Sequence, residues 1–184
     1  LLNEEVVSIN KLVDKYVVKT NKNQFEAKVV VNAAGLYSDK ISKMVGIDHF
    51  SINPRKGEYF VLDHFEKPFV SHVIFPVPSE KGKGILVTPT THGNYLVGPS
   101  SEFVDDKDDF STDKLTLDSV RKSSTKLVRD IPFGYVIRQF SGLRATGSTH
   151  DFVIEEVEGF INLGGIESPG LASSPAIAKE AVRL

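Results

Sequence analysis

The chain has 184 residues, of which 40% are hydrophobic and 25% are charged, and its formal net charge is −2. This composition is typical of a folded globular protein, and the near balance of charges excludes the basic surface that nucleic-acid binding needs. Because the chain has no cysteine, it contains no disulfide, thiolate nucleophile, zinc–thiolate site or iron–sulfur site. No run approaches the roughly 20 apolar residues of a membrane-spanning helix, and no signal-peptide pattern opens the chain.

The first 46 residues predict a meander of short strands followed by a helix. Strands are expected at 6–9, 16–18, around 25 and at 29–31, and their short polar turns favour antiparallel neighbours. The segment Asn32-Ala33-Ala34-Gly35 then leads into a helix over 38–45. A buried strand, a small-residue turn and a helix together place bare main chain at the carboxyl end of a strand, where α/β proteins bind ligands. A tightly packed turn without a ligand is the alternative.

The middle of the chain predicts a curved, mainly antiparallel sheet. A strand that is entered through the charged, glycine-bearing segment 54–62 and ends at Asp63 is expected first. Further strands are expected at 73–77, 85–88 and 95–97, with turns over 79–84 and 90–94. Residues 101–113 are acidic and predict an exposed loop. A helix is expected over 116–129, with Asp118 in its first turn and an apolar face, before Ile131-Pro132 ends it.

The last part predicts a strand, a hairpin and a final helix. The strand covers 135–140, the hairpin joins 151–157 to 160–163 around Glu158-Gly159, and an alanine-rich helix covers 172–184. The loop between hairpin and helix contains Gly164, Gly165, Pro169 and Gly170. A helix start behind such a loop offers N–H groups to a phosphate or to an oxygen that gains negative charge, although an ordinary glycine-rich connection has the same composition.

Several segments together resemble the D-amino-acid oxidase-like FAD-dependent oxidoreductases. Residues 30–39 (VVNAAGLYSD) are similar to the second flavin-contacting segment of that family, 141–144 (SGLR) to its arginine segment near the substrate, and 162–171 (NLGGIESPGL) with 174–176 (SPA) to its final flavin loop and helix. Residues 55–59 (RKGEY), 88–94 (TPTTHGN) and 97–99 (VGP) look most like the glycerol-3-phosphate dehydrogenase and L-2-hydroxyglutarate oxidase branch. Of these two we favour the glycerol-3-phosphate dehydrogenase type.

The resemblance implies an α+β fold in two domains. Residues 1–46 and 144–184 would be parts of an FAD-binding domain that meet in space, a strand–turn–helix and a C-terminal helix, and 47–143 would form a substrate-binding domain. The family's dinucleotide fingerprint G-x-G-x-x-G is absent from these 184 residues. We therefore expect a fragment of a longer protein whose diphosphate-binding part precedes Leu1, and weak or no FAD retention by this chain alone.

The same resemblance assigns site residues. Arg144 would grip an anionic substrate group by a bidentate contact, and His92 would take the substrate hydroxyl proton. A structural ion pair and a solvated turn histidine are their respective alternatives. Lys56 and Tyr59 would line the substrate cavity, or Lys56 would form a lysine–glutamate pair on the sheet rim. The residues expected to contact FAD are Val6, Ala33, Ala34, Gly35, Gly165, Ile166, Glu167, Ser168, Pro169, Gly170 and Leu171.

The sequence therefore predicts part of an FAD-dependent dehydrogenase that oxidises a small anionic hydroxy compound by hydride transfer to flavin. Glycerol 3-phosphate is the first choice of substrate and L-2-hydroxyglutarate the second, while an amino-acid oxidase would share the flavin segments. A non-catalytic module that binds no FAD is the alternative from another class. We expect no metal, no nucleic-acid partner and no transmembrane segment, and a cytoplasmic location with attachment to the inner face of the membrane as an alternative. The pattern does not identify the electron acceptor.

Overall fold

A computed structural model describes residues 1–77 and 84–184 and divides the chain into two compact units. The first unit consists of residues 1–54 and 144–184, and the second of residues 55–143. Most of the turn predicted over 79–84 lies outside the described residues. Strands and helices are mixed along the chain, so the predicted α+β class is confirmed.

The first unit opens with the predicted antiparallel meander. It contains β1 (Val6–Lys11), β2 (Tyr16–Thr20) and β3 (Gln24–Ala27), in the order β1-β2-β3. Tyr16 is buried against Phe160, and its hydroxyl donates a hydrogen bond to the Glu158 carbonyl at 2.9 Å. These contacts anchor the meander to the C-terminal hairpin of the same unit.

A second small sheet in this unit has the order β10-β11-β4. The predicted hairpin is formed by β10 (Val153–Val157) and β11 (Phe160–Gly164), which are antiparallel. The short strand β4 (Val30–Asn32) pairs with β11 in parallel, so the expectation that it continues the antiparallel meander is wrong. Turn spacing reports only on pairing between neighbours in sequence, whereas the partner of β4 lies about 130 residues further on.

Two helices complete the first unit. The predicted helix α1 (Ser38–Lys43) packs with the apolar face expected from its sequence on a core around Phe160. Helix α3 (Gly170–Arg183) begins two residues earlier than expected and contains Pro175. Proline has no N–H for the carbonyl four residues before it, that of Leu171, which accepts a hydrogen bond from the Ser174 hydroxyl at 2.9 Å instead.

The second unit is built on a five-stranded sheet centred on the long strand β5 (Ile52–Leu62). The strand β6 (Leu86–Pro89) pairs with β7 (Tyr95–Gly98), while β7, β8 (Glu102–Phe103) and β9 (Val136–Gly147) pair with β5. The strand expected at 73–77 is reduced to a single bridge from Ile74 to Val87. β9 ends seven residues beyond the predicted end at 140, since it continues through the glycine-containing segment 141–147.

Helix α2 (Lys114–Ser124) packs on this sheet through Leu117 and Val120, which are buried as predicted. It begins before Asp118 because the Asp113 carboxylate caps it, accepting a hydrogen bond from the Thr116 N–H at 2.8 Å. It ends at Ser124 rather than at 129, because residues 123–125 are two serines and a threonine, whose hydroxyls compete for helix carbonyls.

Candidate functional site

Two loops leave the same edge of the small sheet in the first unit. β4 ends at Asn32 and β11 at Gly164, and the two strands run side by side in parallel. The carboxyl ends of neighbouring parallel strands therefore carry the loops 33–37 and 165–169 next to each other. The structure thus brings together the two segments to which the sequence analysis assigned a cofactor.

A buried pair of asparagines joins the two strands just before these loops begin. Asn32 is 2% exposed and Asn162 is not exposed at all. The Asn32 amide donates to the Asn162 side-chain oxygen and to the Ser38 carbonyl, both at 2.8 Å. The Asn162 amide donates in turn to the Ser42 hydroxyl at 3.1 Å and to the Glu155 carboxylate at 3.0 Å. Both loops and helix α1 therefore rest on one hydrogen-bonded network.

Loop 33–37 presents main chain rather than side chains. Ala33, Ala34 and Gly35 are exposed, and the Ala34 N–H donates to the Asn32 side-chain oxygen at 3.3 Å. Gly35 has a φ of +56°, and no atom lies within 4 Å of the place where a Cβ would stand. The main chain of this loop is therefore open to the close approach of a ligand. The predicted contact with a cofactor requires this.

The loop after β11 is folded on itself and on the end of β9. The Glu167 N–H donates to the Gly165 carbonyl at 3.1 Å, and the Gly170 N–H donates to the Glu167 carbonyl. Gly165 has a φ of +64°, and a Cβ on Gly147 would lie 3.3 Å from its Cα. The Glu167 carboxylate accepts from the Thr146 hydroxyl at 2.9 Å. The two segments therefore pack main chain against main chain.

A cavity of about 270 Å³ borders this loop. Its lining includes the loop residues Gly165, Glu167, Ser168 and Pro169, together with His150. Ile166 and Glu167 are half-buried, whereas Ser168, Pro169 and Leu171 are exposed. The loop is therefore accessible on at least one side.

Arg144 lies on β9 in the first unit, on the same strand face as Thr146, because side chains two residues apart in a strand point the same way. Thr146 contacts Glu167 of the C-terminal loop, and Arg144 lies two residues, or roughly 7 Å along the strand, from Thr146. The opposite face carries Ala145, buried in a small core with Phe50, Ile52 and Val153. The half-buried arginine thus lies on the strand that contacts one of the two loops predicted to bind the cofactor.

Val6 lies at the start of β1, in the sheet that does not contain β4 or β11. Its side chain packs on the core around Phe160, and the register of β1 with β2 shifts between Val6 and Ser8. Because the side chain is packed, the main chain is the part of Val6 that a ligand would reach.

In the second unit, β5 has two chemically different faces. Its even-numbered residues from 56 to 62 are all buried, and Phe60 and Leu62 join the core under α2. Arg55 and Tyr59 are half-buried on the other face. Lys56 and Tyr59, predicted to line one cavity, therefore point to opposite sides of the strand.

Lys56 takes part in a buried ion pair. Its Nζ lies 2.8 Å from the Asp109 carboxylate and 3.9 Å from that of Glu58. The hydrogen bond to Asp109 raises the pKa of Lys56, and the same bond, with those from Ser111, lowers the pKa of Asp109 to about 2. The pair predicted for this lysine was with a glutamate on the sheet rim, whereas the structure shows a buried lysine whose nearer partner is Asp109.

Glu58 is completely buried beside this pair. Its Oε2 accepts from the Asp113 N–H at 2.9 Å, and its Oε1 has no hydrogen-bond partner among the described residues. Burial raises the pKa of Glu58, against the opposing effects of the Asp113 hydrogen bond and the Lys56 charge. Residues 101–113 were expected to be an exposed loop, but Asp109 and Asp113 attach this segment to β5.

His92 lies on the exposed turn between β6 and β7. The turn is closed by hydrogen bonds from the Gly93 N–H to the Thr90 carbonyl at 3.1 Å and from the Thr90 N–H to the Asn94 carbonyl at 2.8 Å. His92 precedes Gly98, which lies against Tyr59, by six residues.

A cavity of about 360 Å³ in the second unit is lined by Phe60, Leu117 and Arg121 among others. It opens on the α2 side of the sheet, and its lining includes none of the predicted site residues. Across the described residues, no three His, Asp or Glu side chains are grouped to hold a metal, and no helix is long and apolar enough to cross a membrane.

Sequence reasoning assigned no role to Asn32, Asn162 or Thr146. Asparagine is uncommon in buried strands. An asparagine directly after the apolar run of β4 and another inside β11 were therefore the available signal. Their pairing could not be read from the sequence, because it depends on the parallel register of two distant strands.

Comparison with known proteins gives a consistent set of relatives. The family described as FAD dependent oxidoreductase matches residues 1–184. A glycerol 3-phosphate dehydrogenase from Caloramator mitchellensis is 46% identical over 180 residues, which cover 96% of this chain and 38% of that protein. The mitochondrial L-2-hydroxyglutarate dehydrogenase of Arabidopsis thaliana is 34% identical over 174 residues, covering 82% of this chain and 36% of that protein.

A solved structure agrees with these matches. The L-alpha-glycerophosphate oxidase from Mycoplasma pneumoniae, reduced with dithionite and with FAD bound, has a TM-score of 0.90 and 34% identity, covering 98% of this chain and 50% of that chain. The chain therefore spans between about a third and a half of the length of these relatives.

Proposed function

Because the chain belongs to the FAD-dependent oxidoreductase family, we propose that it is part of a flavoprotein that oxidises glycerol 3-phosphate. The observation that carries the proposal is the parallel pairing of β4 with β11, which sets loops 33–37 and 165–169 side by side. The names of the 46% identical dehydrogenase and of the structurally similar oxidase support the choice of substrate.

Loop 33–37 would hold FAD through its main chain, since Ala33, Ala34 and Gly35 offer no bulky side chain. The main chain of Val6 would meet the adenine. Bound FAD supplies a hydride acceptor for the substrate C–H bond. These small residues would let the main chain come close to the cofactor, and the hydrogen bonds of Asn32 and Asn162 hold the loop in place.

The C-terminal loop would meet the pyrimidine edge of the flavin. The N–H groups of Glu167 and Gly170 already donate within the loop, so we assign this contact to the N–H groups of Ile166 and Ser168. Pro169 has no N–H, and Leu171 lies in the first turn of α3. The positive partial charge of this helix start stabilises negative charge that develops nearby.

Arg144 would bind the anionic group of the substrate, since a guanidinium holds a phosphate by two parallel hydrogen bonds. Tyr59 would contact the substrate, and His92 would accept its hydroxyl proton. Lys56 is the weakest member of this set, because Asp109 already neutralises its charge.

The test uses the full-length protein loaded with FAD. Anaerobic addition of glycerol 3-phosphate is expected to bleach the flavin absorption, and Arg144→Lys is expected to raise KM about 100-fold, with the exposed Arg129→Lys as the matched control. The proposal fails if neither glycerol 3-phosphate nor L-2-hydroxyglutarate bleaches the flavin.

L-2-hydroxyglutarate is the second candidate, supported by the 34% identical Arabidopsis relative. Both compounds are anionic hydroxy compounds, so the ratio of their kcat/KM values decides between them, and glycine tests the amino-acid oxidase alternative. Oxygen uptake compared with reduction of an artificial dye identifies the type of electron acceptor.

We also propose a cytoplasmic location for the protein. Cell fractionation checks this location and would equally reveal attachment to the inner membrane face.

The isolated 184-residue chain provides a separate prediction. Because it has no dinucleotide fingerprint, we expect it to retain less than about a tenth of an equivalent of FAD after gel filtration. The absorption spectrum measures the retained FAD. A yellow, stoichiometric complex would show that these 184 residues are sufficient for the cofactor.

A further inference from the structure

The ring of Tyr59 is held by residues from two neighbouring strands. Phe140 of β9 stacks on it, with 5.1 Å between the ring centroids and 7° between the ring planes. Gly98 of β7 lies against the same ring, because a Cβ at that position would come 2.7 Å from Tyr59 Cδ1. The plane of the ring is therefore set by its surroundings.

Only glycine fits at position 98. A Cβ there would also come 2.6 Å from the Glu58 carbonyl oxygen, and the φ of +148° is one that residues with side chains rarely adopt. The Glu58 oxygen belongs to the main chain of β5 and cannot move aside as a side chain would. The bare main chain of Gly98 is thus the condition for the observed position of Tyr59.

We propose that Phe140 and Gly98 are positioning residues that act on the substrate through Tyr59, an inference that rests on the proposed function. With the ring held in one plane, the phenol hydroxyl is presented in one place before the substrate arrives. Arg55 lies on the same face of β5, so an anionic hydroxy compound such as a polyol phosphate suits this surface. Lys56 and Glu58 are excluded from it by the alternation of the strand.

The kinetic test uses the full-length FAD-loaded enzyme with glycerol 3-phosphate. Phe140→Leu is expected to raise KM about three- to ten-fold and to change kcat by less than about two-fold, since an aromatic stack of this kind fixes a binding contact. Phe140→Tyr keeps the stack and should leave KM at the wild-type value. Gly98→Ala is expected to lower stability as well as to raise KM, because its Cβ meets the Glu58 carbonyl, so Phe140→Leu is the variant that decides the kinetic test. The matched control is Phe133→Leu, which removes an equally half-buried ring that packs on Phe60 and leaves KM unchanged.

A double-mutant cycle separates positioning from general destabilisation. Tyr59→Phe removes the hydroxyl, so adding Phe140→Leu to it should raise KM by less than about two-fold further. If Phe140→Leu has its full effect in the Tyr59→Phe background, Phe140 does not act through Tyr59 and the inference is overturned. An unchanged KM in Tyr59→Phe itself has the same consequence.

A spectroscopic measurement tests the geometry without activity. In protein labelled with 3-fluorotyrosine, the fluorine resonance of Tyr59 is identified by its loss in Tyr59→Phe. Phe140→Leu should shift that resonance, because the ring current of the stacked phenylalanine is gone, and Phe133→Leu should leave it in place. If wild-type enzyme does not oxidise glycerol 3-phosphate but this resonance shifts, the proposed function fails and the positioning holds. If the resonance does not shift, the positioning fails.

Discussion

The two units of the chain satisfy their buried polar groups by different chemistry. In the first unit, Asn32 and Asn162 form a neutral network under the two predicted cofactor loops. In the second, Lys56, Glu58 and Asp109 form an ionic network between β5 and the segment that precedes α2. Both networks connect segments that are distant in sequence. The two amides of the first carry no charge, with the Glu155 carboxylate at the edge of the network, whereas Lys56, Glu58 and Asp109 are all ionisable.

The difference separates two demands on the fold. The hydrogen bond between the two amides under the predicted cofactor loops does not titrate, whereas the ionic network stabilises its segment only while Asp109 is ionised. Removing one partner of an ion pair leaves a charge behind, and the cost depends on how well water can reach that charge; Asp109 is partly exposed. The two networks can therefore be distinguished by substitution and by pH.

The largest effect is expected at the neutral network. Asn162→Ala removes both a donor and an acceptor at a fully buried position and leaves the Asn32 amide with the Ser38 carbonyl but without the Asn162 oxygen, which should cost about 3 kcal/mol of unfolding free energy. Urea unfolding measures this loss, and the FAD affinity of the full-length protein should fall with it. The exposed Asn53→Ala is the matched control and should stay within about 0.5 kcal/mol of wild type. Equal stability of the two variants would contradict the role of the asparagine pair.

Breaking the ionic network should cost somewhat less. Lys56→Met leaves Glu58 buried without its cation and should lower the unfolding free energy by about 2 kcal/mol, since Asp109 is partly exposed and can be solvated. Substitution of the exposed Lys67 by Met is the control, and the same unfolding measurement applies. A loss no larger than that of the control would show that the pair is solvated rather than structural.

The pH dependence should belong to the second unit. The pKa of Asp109 is lowered from 3.8 to about 2 in the folded protein, mainly by the hydrogen bond from Lys56. Its contribution to stability is therefore present above about pH 4 and is lost as the pH falls towards 2. Unfolding midpoints measured across this range should fall less steeply for Asp109→Asn than for wild type. If the unfolding midpoints of wild type and Asp109→Asn fall in parallel with pH, Asp109 is not the source of the pH dependence.

The smallest effect is expected for Glu58→Gln. The side-chain oxygen of the new glutamine can still accept the hydrogen bond from the Asp113 N–H. Burial raises the pKa of Glu58 from its ordinary value of 4.5, so the ionised carboxylate opposes folding at a pH above that value. Removing the charge should change the unfolding free energy at neutral pH by less than about 1 kcal/mol, which is a smaller change than the one expected for Lys56→Met. A large destabilisation by Glu58→Gln would mean that the charge itself stabilises the segment.

Much of the fold could be predicted because it is encoded locally. The first meander, the hairpin around Glu158-Gly159 and the apolar face of α1 follow from turn residues and from periodicity within a few residues. The parallel partner of β4 and the bridge between Ile74 and Val87 depend on contacts between segments that are apart in sequence. The alternation of side chains along β5 could be read from the sequence and places Lys56 and Tyr59 on opposite faces of the strand. Both were nevertheless predicted to line one cavity, because they belong to the same segment that resembles the family.

The same division holds for the candidate site. Small residues at 33–35 and glycines at 165 and 170 identified both loops, because a main chain that must approach a ligand cannot carry bulky side chains. The sequence by itself therefore determined the secondary structure of most segments, the family and the two loops. Only the tertiary structure decided that β4 and β11 run in parallel, that Asn32 and Asn162 join them, and that Lys56 is neutralised by Asp109. These are pairings across 53 to 130 residues, and their energies arise only when the chain is folded.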